Sequence, residues 1–105
     1  MLYKKVLITG GFGFVGARLA KHLDAKGIEV VILEQASVSV PTGMEKFAVV
    51  TADITEKESM QKVKLSEVDA VLHLAAQSSG PRSFSVPHLD INLNIIGTLN
   101  VIDWC

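Results

Sequence analysis

The sequence predicts an open α/β fold, a parallel sheet with helices on both faces, of which about four strands fall within the chain. Three observations carry that prediction. Short apolar runs alternate with stretches of helical spacing along all 105 residues. The runs are apolar without a break, the pattern of strands buried on both faces. The first run meets the first helix at a cluster of glycines, Gly10, Gly11, Gly13 and Gly16, where a strand–turn–helix unit of such a sheet needs a tight turn.

Each element has its own reason. Lys5 to Thr9 is rich in β-formers and stops at Gly10-Gly11, which makes it a buried first strand. Phe14 to Lys26 is a helix: Val15, Leu19 and Leu23 recur on one face with Ala20 beside them, and Arg18, Lys21, His22 and Ala25 fall on the other. Gly27 stands where a C-terminal cap belongs. Glu29 to Leu33 is the second strand, closed by Glu34, and Ala36 to Glu45, with Ser, Pro and Gly, is a loop. Phe47 to Ala52 is the third strand. Thr55 and Glu58 have the spacing of a capping box and open a short helix through Val63. Ala70 to Ala75 is the fourth strand, and Gln77 to Pro87 a polar loop. From Pro87 the spacing is helical again, with Leu89, Leu93 and Ile96 in one register and Ile95, Leu99 and Ile102 in the next.

Composition narrows the function. Ten Lys and Arg against eleven Asp and Glu give a net charge of −1, which excludes a nucleic-acid footprint built of bulk basic charge and a polybasic membrane-surface segment. Hydrophobic residues make up 49% and mean hydropathy is +0.37, so there is ample apolar surface to bury and disorder is not expected. The single cysteine, Cys105, permits neither an intrachain disulfide nor a cysteine-based metal site. No apolar run reaches the ~18 residues of a membrane span, and the N-terminal run is too short for a leader. These readings lead to the expectation of a cytoplasmic protein with no metal, no nucleic-acid partner and no membrane partner.

The turn Thr9-Gly10-Gly11-Phe12-Gly13-Phe14-Val15-Gly16 spaces Gly10, Gly13 and Gly16 as G-x-x-G-x-x-G. A dinucleotide pyrophosphate needs one glycine for the turn, one for close approach of the backbone, and one for packing of helix on strand. The helix N-terminus then offers free N–H groups to the anion. Gly16-Ala17-Arg18 supplies no Gly-Lys-Ser/Thr, so the loop is not of the nucleoside-triphosphate type. Glu34 follows Gly16 by 18 residues. A carboxylate there accepts hydrogen bonds from the adenosine ribose and repels a 2′-phosphate, which favours NAD over NADP.

Four blocks taken in order resemble the extended short-chain dehydrogenases/reductases of the NAD-dependent epimerase/dehydratase family. They are the Thr9–Gly16 turn, Asp53-Ile54 after the third strand, His73-Leu74-Ala75-Ala76-Gln77 at the end of the fourth, and Asn94-Ile95-Ile96-Gly97-Thr98-Leu99-Asn100. Phe14 stands where the sister subfamily has glycine. The resemblance implies a Rossmann-type fold, of which this is the first half, and NAD as cofactor. It implies that Gly10, Gly13, Phe14 and Val15 face the pyrophosphate, that Gly16 packs, that Glu34 holds the ribose, and that Asp53 and Ile54 flank the adenine. Leu74, Ala75 and Ala76 would line the nicotinamide-side ribose. Gln77 or Ser78 would lie near the phosphates or substrate, Asn94 near the cofactor, and Ser79 to Ser83 with Arg82 beside a nucleotide-sugar pocket.

Several of these residues have plainer structural readings. Asp53 can cap its own turn, His73 can be a hydrogen-bonded strand residue, and Gly97-Thr98 can serve helix packing. Trp104 reads as core or interface, and His22 and His88 as solvent-facing. The family's catalytic Tyr-x-x-x-Lys has no counterpart here, since the only tyrosine, Tyr3, precedes the first strand. The expectation is therefore the N-terminal part of a larger, homodimeric epimerase or dehydratase acting on a nucleotide sugar. It includes an exposed fourth-strand edge and a last helix with uncovered apolar surface. The alternatives are a non-catalytic dinucleotide-binding or redox-sensing module and, less consistent with Thr9, Ala75-Ala76 and Asn94, an S-adenosylmethionine methyltransferase.

Overall fold

A computed structural model describes residues 3–64, 68–76 and 87–105. Its elements are β1 (Lys5–Thr9), α1 (Phe14–Ala25), β2 (Glu29–Glu34), β3 (Ala48–Thr51), α2 (Lys57–Gln61), β4 (Ala70–His73) and a C-terminal helical run. That run comprises α3 (Pro87–Asp90), a π-helical segment (Ile91–Ile96) and α4 (Gly97–Trp104). The four strands form one sheet in the order β3-β2-β1-β4, all parallel. The chain moves outward from β1 through β2 to β3, then crosses back to place β4 on the other side of β1. This is the strand order of the first half of a Rossmann-type fold, and ligands of such sheets bind at the carboxyl ends where the order reverses.

Side chains alternate across the strands, and each face has its own core. Val6, Ile8, Val30 and Ile32 pack with Ala20 of α1 and with Phe12, Met44 and Phe47. Leu7, Val31 and Leu33 pack on the opposite face with Ile54, Met60 of α2 and Val101 of α4. β3 is an edge strand, with Val49 41% exposed. Among the described residues the outer edge of β4 is likewise unpaired.

Three local expectations are corrected. Val15 does not join the core face of α1; it is 61% exposed. The buried positions there are Gly16 and Ala20, with Ala17, Leu19 and Leu23 partly covered, and Val15 instead lines the cleft. The Thr55–Glu58 capping box does not form, since α2 has Glu56 as its N-cap and no side-chain cap bond. The Thr55 hydroxyl instead donates to Asp53 Oδ1 (2.6 Å), which also accepts the Thr55 N–H (2.9 Å). The fourth strand ends at His73 rather than Ala75, because the next two amides turn toward Thr9.

The C-terminal helical run is expected as one regular helix, and the π-helical turn inside it departs from that. Neither predicted apolar register packs as a whole. Gly97, Asn100 and Val101 are buried, Leu93 and Trp104 are packed beside them, and Ile95, Leu99 and Ile102 are 55%, 50% and 62% exposed. The buried face is chosen by three long-range contacts. A Cβ on Gly97 would stand 2.8 Å from Ile54 Cδ1. Asn100 Nδ2 donates to the Ile54 carbonyl (2.8 Å), and Trp104 Nε1 to the Val63 carbonyl (3.0 Å). The uncovered apolar surface expected of this helix is present.

Candidate functional site

The glycine turn builds one wall of a cleft at the carboxyl end of the sheet. Gly10 has φ +66°, a left-handed conformation that costs glycine nothing, and its N–H donates to the Leu33 carbonyl (3.0 Å). A Cβ on Gly10 would stand 2.8 Å from Ala75 Cα, and one on Gly16 would stand 2.4 Å from the Gly10 carbonyl oxygen. Both positions are closed to side chains by the protein's own backbone. Gly11, which lies between the spaced glycines of the motif, is closed by Ile32, whose Cδ1 would lie 2.4 Å from a Cβ there.

Gly13 differs from its neighbours. A Cβ there would meet only the Gly10 carbonyl oxygen, at 3.3 Å, and its φ of −75° suits any residue. It lines the cleft and is the N-cap of α1, with no side-chain cap bond. The first-turn N–H groups that follow have no acceptor within the helix. This is a cradle that a methyl group would partly fill, with anion-binding donors behind it.

Glu34 closes the cleft at the β2 end. Its Oε2 accepts the Phe12 N–H (3.2 Å) and its Oε1 the Gln35 N–H (3.2 Å), so two amides orient the carboxylate. Gly10, Gly13, Phe14, Val15, Gly16, Glu34, Leu74, Ala75 and Ala76 share this cleft of about 520 Å³. Gln35, Val38 and Leu93 also line it. None of these three belongs to a motif, and no local signal marks them. Asp53 lies in an adjoining hollow of about 410 Å³ that shares Gln35 and includes Ser37, Thr51 and Ser59.

The other predicted residues fall elsewhere. Ile54 is 2% exposed in the core and reaches neither hollow. Asn94 is half-buried one residue from Leu93, and its carbonyl accepts the Thr98 hydroxyl (2.7 Å). Gln77, Ser78, Ser79 to Ser83 and Arg82 lie outside the described residues. Among the described residues no group of three His, Cys, Asp or Glu converges as metal ligands, and no helix is long and apolar enough to cross a membrane.

Thr9 is fully buried and joins the two walls. Its Oγ1 accepts the N–H groups of Leu74 (3.0 Å) and Ala75 (3.2 Å) and lies 2.6 Å from His73 Nδ1. His73 Nε2 lies 2.9 Å from Thr98 Oγ1. Burial lowers the His73 pKa from the ordinary imidazole value.

A glycine turn facing a helix N-terminus, with an oriented carboxylate at the end of the second strand, defines a dinucleotide-binding α/β protein. The comparisons narrow this class. The model of the NAD dependent epimerase/dehydratase family matches residues 6–105, and the chain belongs to that family. A putative UDP-glucose 4-epimerase of Methanocaldococcus jannaschii is 31% identical over 99 residues, covering 93% of this chain and 32% of the relative. The structure of Thermus thermophilus UDP-glucose 4-epimerase in complex with NAD is similar, with a TM-score of 0.82 and 33% identity over 96% of this chain and 33% of that one. So is that of L-threonine dehydrogenase from Clostridium difficile, with a TM-score of 0.83 and 27% identity over 99% of this chain and 33% of that one. The chain thus spans about a third of the length of these relatives.

Proposed function

We propose that the chain is the cofactor-binding part of an NAD-dependent epimerase or dehydratase acting on a nucleotide sugar. The observation that carries this is Gly13. Of the three spaced glycines, Gly13 is the one at which a Cβ would meet least of the protein itself, a single carbonyl oxygen at 3.3 Å, and it lines the cleft as the N-cap of α1. A bound pyrophosphate supplies the missing reason for a glycine there. Phe14, Val15 and Gly16 would donate their first-turn N–H groups to it. Glu34, oriented by the Phe12 and Gln35 amides, would accept the adenosine ribose hydroxyls. The hollow beside Asp53 would take the adenine, and Leu74, Ala75 and Ala76 would form the apolar wall on the nicotinamide side. Gln77 and Asn94 are assigned to the same cofactor by the family pattern.

Bound NAD supplies a reversible hydride acceptor. The residues of this chain bind and orient it, and the proton-transferring Tyr and Lys are assigned to the length by which the relatives exceed this chain. UDP-sugars in the names of similar proteins support a nucleotide-sugar substrate. The exposed strip Ile95, Leu99 and Ile102 supports a homodimer.

Calorimetric titration with NAD, NADP and S-adenosylmethionine tests the reading. NAD should bind at least tenfold tighter than NADP, a difference of about 1.4 kcal/mol. Tighter binding of NADP, or binding of S-adenosylmethionine alone, overturns it. NAD binding without turnover of any nucleotide sugar by the full-length protein would leave a dinucleotide-binding module.

A further inference from the structure

The hydrogen bonds around His73 have only one possible direction. At one end, the amides of Leu74 and Ala75 donate to Thr9 Oγ1, with Leu74 shared with the Thr9 carbonyl. Amides cannot accept, so these bonds occupy the oxygen's lone pairs and its hydroxyl proton must go to His73 Nδ1. Nδ1 is therefore bare, and the imidazole proton sits on Nε2 and is donated to Thr98 Oγ1. At the other end the Thr98 hydroxyl donates to the Asn94 carbonyl, which can only accept. The chain Thr9–His73–Thr98–Asn94 is polarised from end to end, and it selects one tautomer of neutral His73.

This chain ties together elements that line the cleft. Leu74 and Ala75 line it from the end of β4, and Leu93, beside Asn94, lines it from the π-helical segment. Ala75 also supports the Gly10 turn from below. We propose that His73 is a positioning residue: in its neutral Nε2–H form it holds these walls in register for the cofactor, and a second proton releases them. The proposal rests on the reading of the cleft as an NAD site.

An imidazolium would point an Nδ1–H at a Thr9 oxygen that already accepts two amides and must still place its own proton. One of those bonds has to break. The groups bonded to the ring are Thr9 from β1 and Thr98 from α4, with the Asn94 carbonyl beyond. Among the described residues no charged group acts on it, and burial alone lowers its pKa. A histidine with a lowered folded pKa is fully accommodated above its ordinary value of about 6.5. The clamp is lost as pH falls from there through the folded pKa.

Two measurements on the full chain test this. In 15N NMR of histidine-labelled protein without cofactor at pH 8, with His73→Gln to assign the signal, His73 should show Nε2–H; an Nδ1–H tautomer overturns the clamp. NAD affinity is then measured at pH 8 and pH 5.5. The wild-type chain should weaken progressively below pH 6.5, by at most about tenfold at pH 5.5, the ceiling for one proton taken up by a group whose pKa lies below 6.5. His73→Gln, which keeps a donor and an acceptor but does not titrate, should bind with no such fall. Thr98→Ser should keep the wild-type profile, and Thr98→Val should be weakened already at pH 8. A flat wild-type profile, or the same fall in His73→Gln, overturns the proposal while the NAD reading stands. No NAD binding at pH 8 with the expected tautomer overturns the NAD reading and the claim of affinity control with it.

Discussion

The glycine wall of the cleft, residues 9–16, and the wall opposite, residues 73–76 with the helix behind them, are held by different means. The first is made by backbone conformation within one short stretch: a positive φ at Gly10, a hydrogen bond from Gly13 to Gly10, and backbone contact of Gly16 on Gly10 and Gly11. The second is made by side chains reaching across the molecule, from Thr9 to residues 73–75, from His73 to Thr98 and from Asn100 to Ile54. The first wall cannot change without breaking the turn. The second can shift when a single proton is added or a single side chain removed.

The largest effect should come from forcing a side chain into the glycine wall. Gly16→Ala puts a methyl group 2.4 Å from a backbone oxygen and should lower the free energy of unfolding by about 3 kcal/mol in urea titration. Gly13→Ala should cost less than about 1 kcal/mol of stability, yet weaken NAD by at least about tenfold, because its methyl group enters the space for the pyrophosphate. Equal stability losses at the two positions would erase the distinction between a glycine required by packing and one required by a ligand.

In the opposite region, Asn100→Ala removes the donor to the Ile54 carbonyl and should cost about 1–2 kcal/mol, read by the same titration. If it cost as much as Gly16→Ala, the two walls would not differ in rigidity. Glu34→Gln keeps an acceptor for the Phe12 amide but removes the charge. It should weaken NAD by about tenfold through loss of charge-assisted bonds, narrow the preference against NADP, and leave the melting temperature within a few degrees.

The smallest effect lies at the far end of the β1–β4 pair. Asp69 Oδ2 accepts the N–H groups of Lys4 (2.7 Å) and Lys5 (2.9 Å), and these bonds lower its pKa from 3.8. The stabilisation is present above that value and fades as pH falls through the lower folded pKa. Asp69→Asn should make the acid limb of the stability curve shallower below about pH 4 while NAD affinity at neutral pH is unchanged. A change in NAD affinity would mean that the two ends of the strand pair are coupled.

Much of this architecture was legible along the chain. The buried runs of β1 and β2, the Gly27 cap and the glycine turn follow from neighbouring residues alone. So does the position of Glu34, because a strand of known start places its last residue at the sheet's carboxyl end. What was illegible depended on distant partners. Thr55 fits a capping box in sequence, but Asp53 competes for its hydroxyl. Val15 fits the apolar stripe of α1, but it lies on the cleft and is 61% exposed. The apolar residues of the last helix outnumber the positions the sheet can cover. Gly97, Asn100 and Trp104, each matched to one site on the α2 side, decide which of them are buried.

By itself the sequence determined the order of the elements, the parallel sheet and the phosphate-type turn. These rest on hydrophobic periodicity and on the steric freedom of glycine, both local properties of a chain. Only the tertiary structure decided that Gly13 is the spaced glycine least constrained by the protein's own packing, that Thr9 spans both walls, and that His73 carries its proton on Nε2. Each of these depends on what stands within a few ångströms across 60 or more residues of sequence or beyond an empty space. A hydrogen bond or a steric gap is a property of that distance and of nothing the neighbouring residues encode.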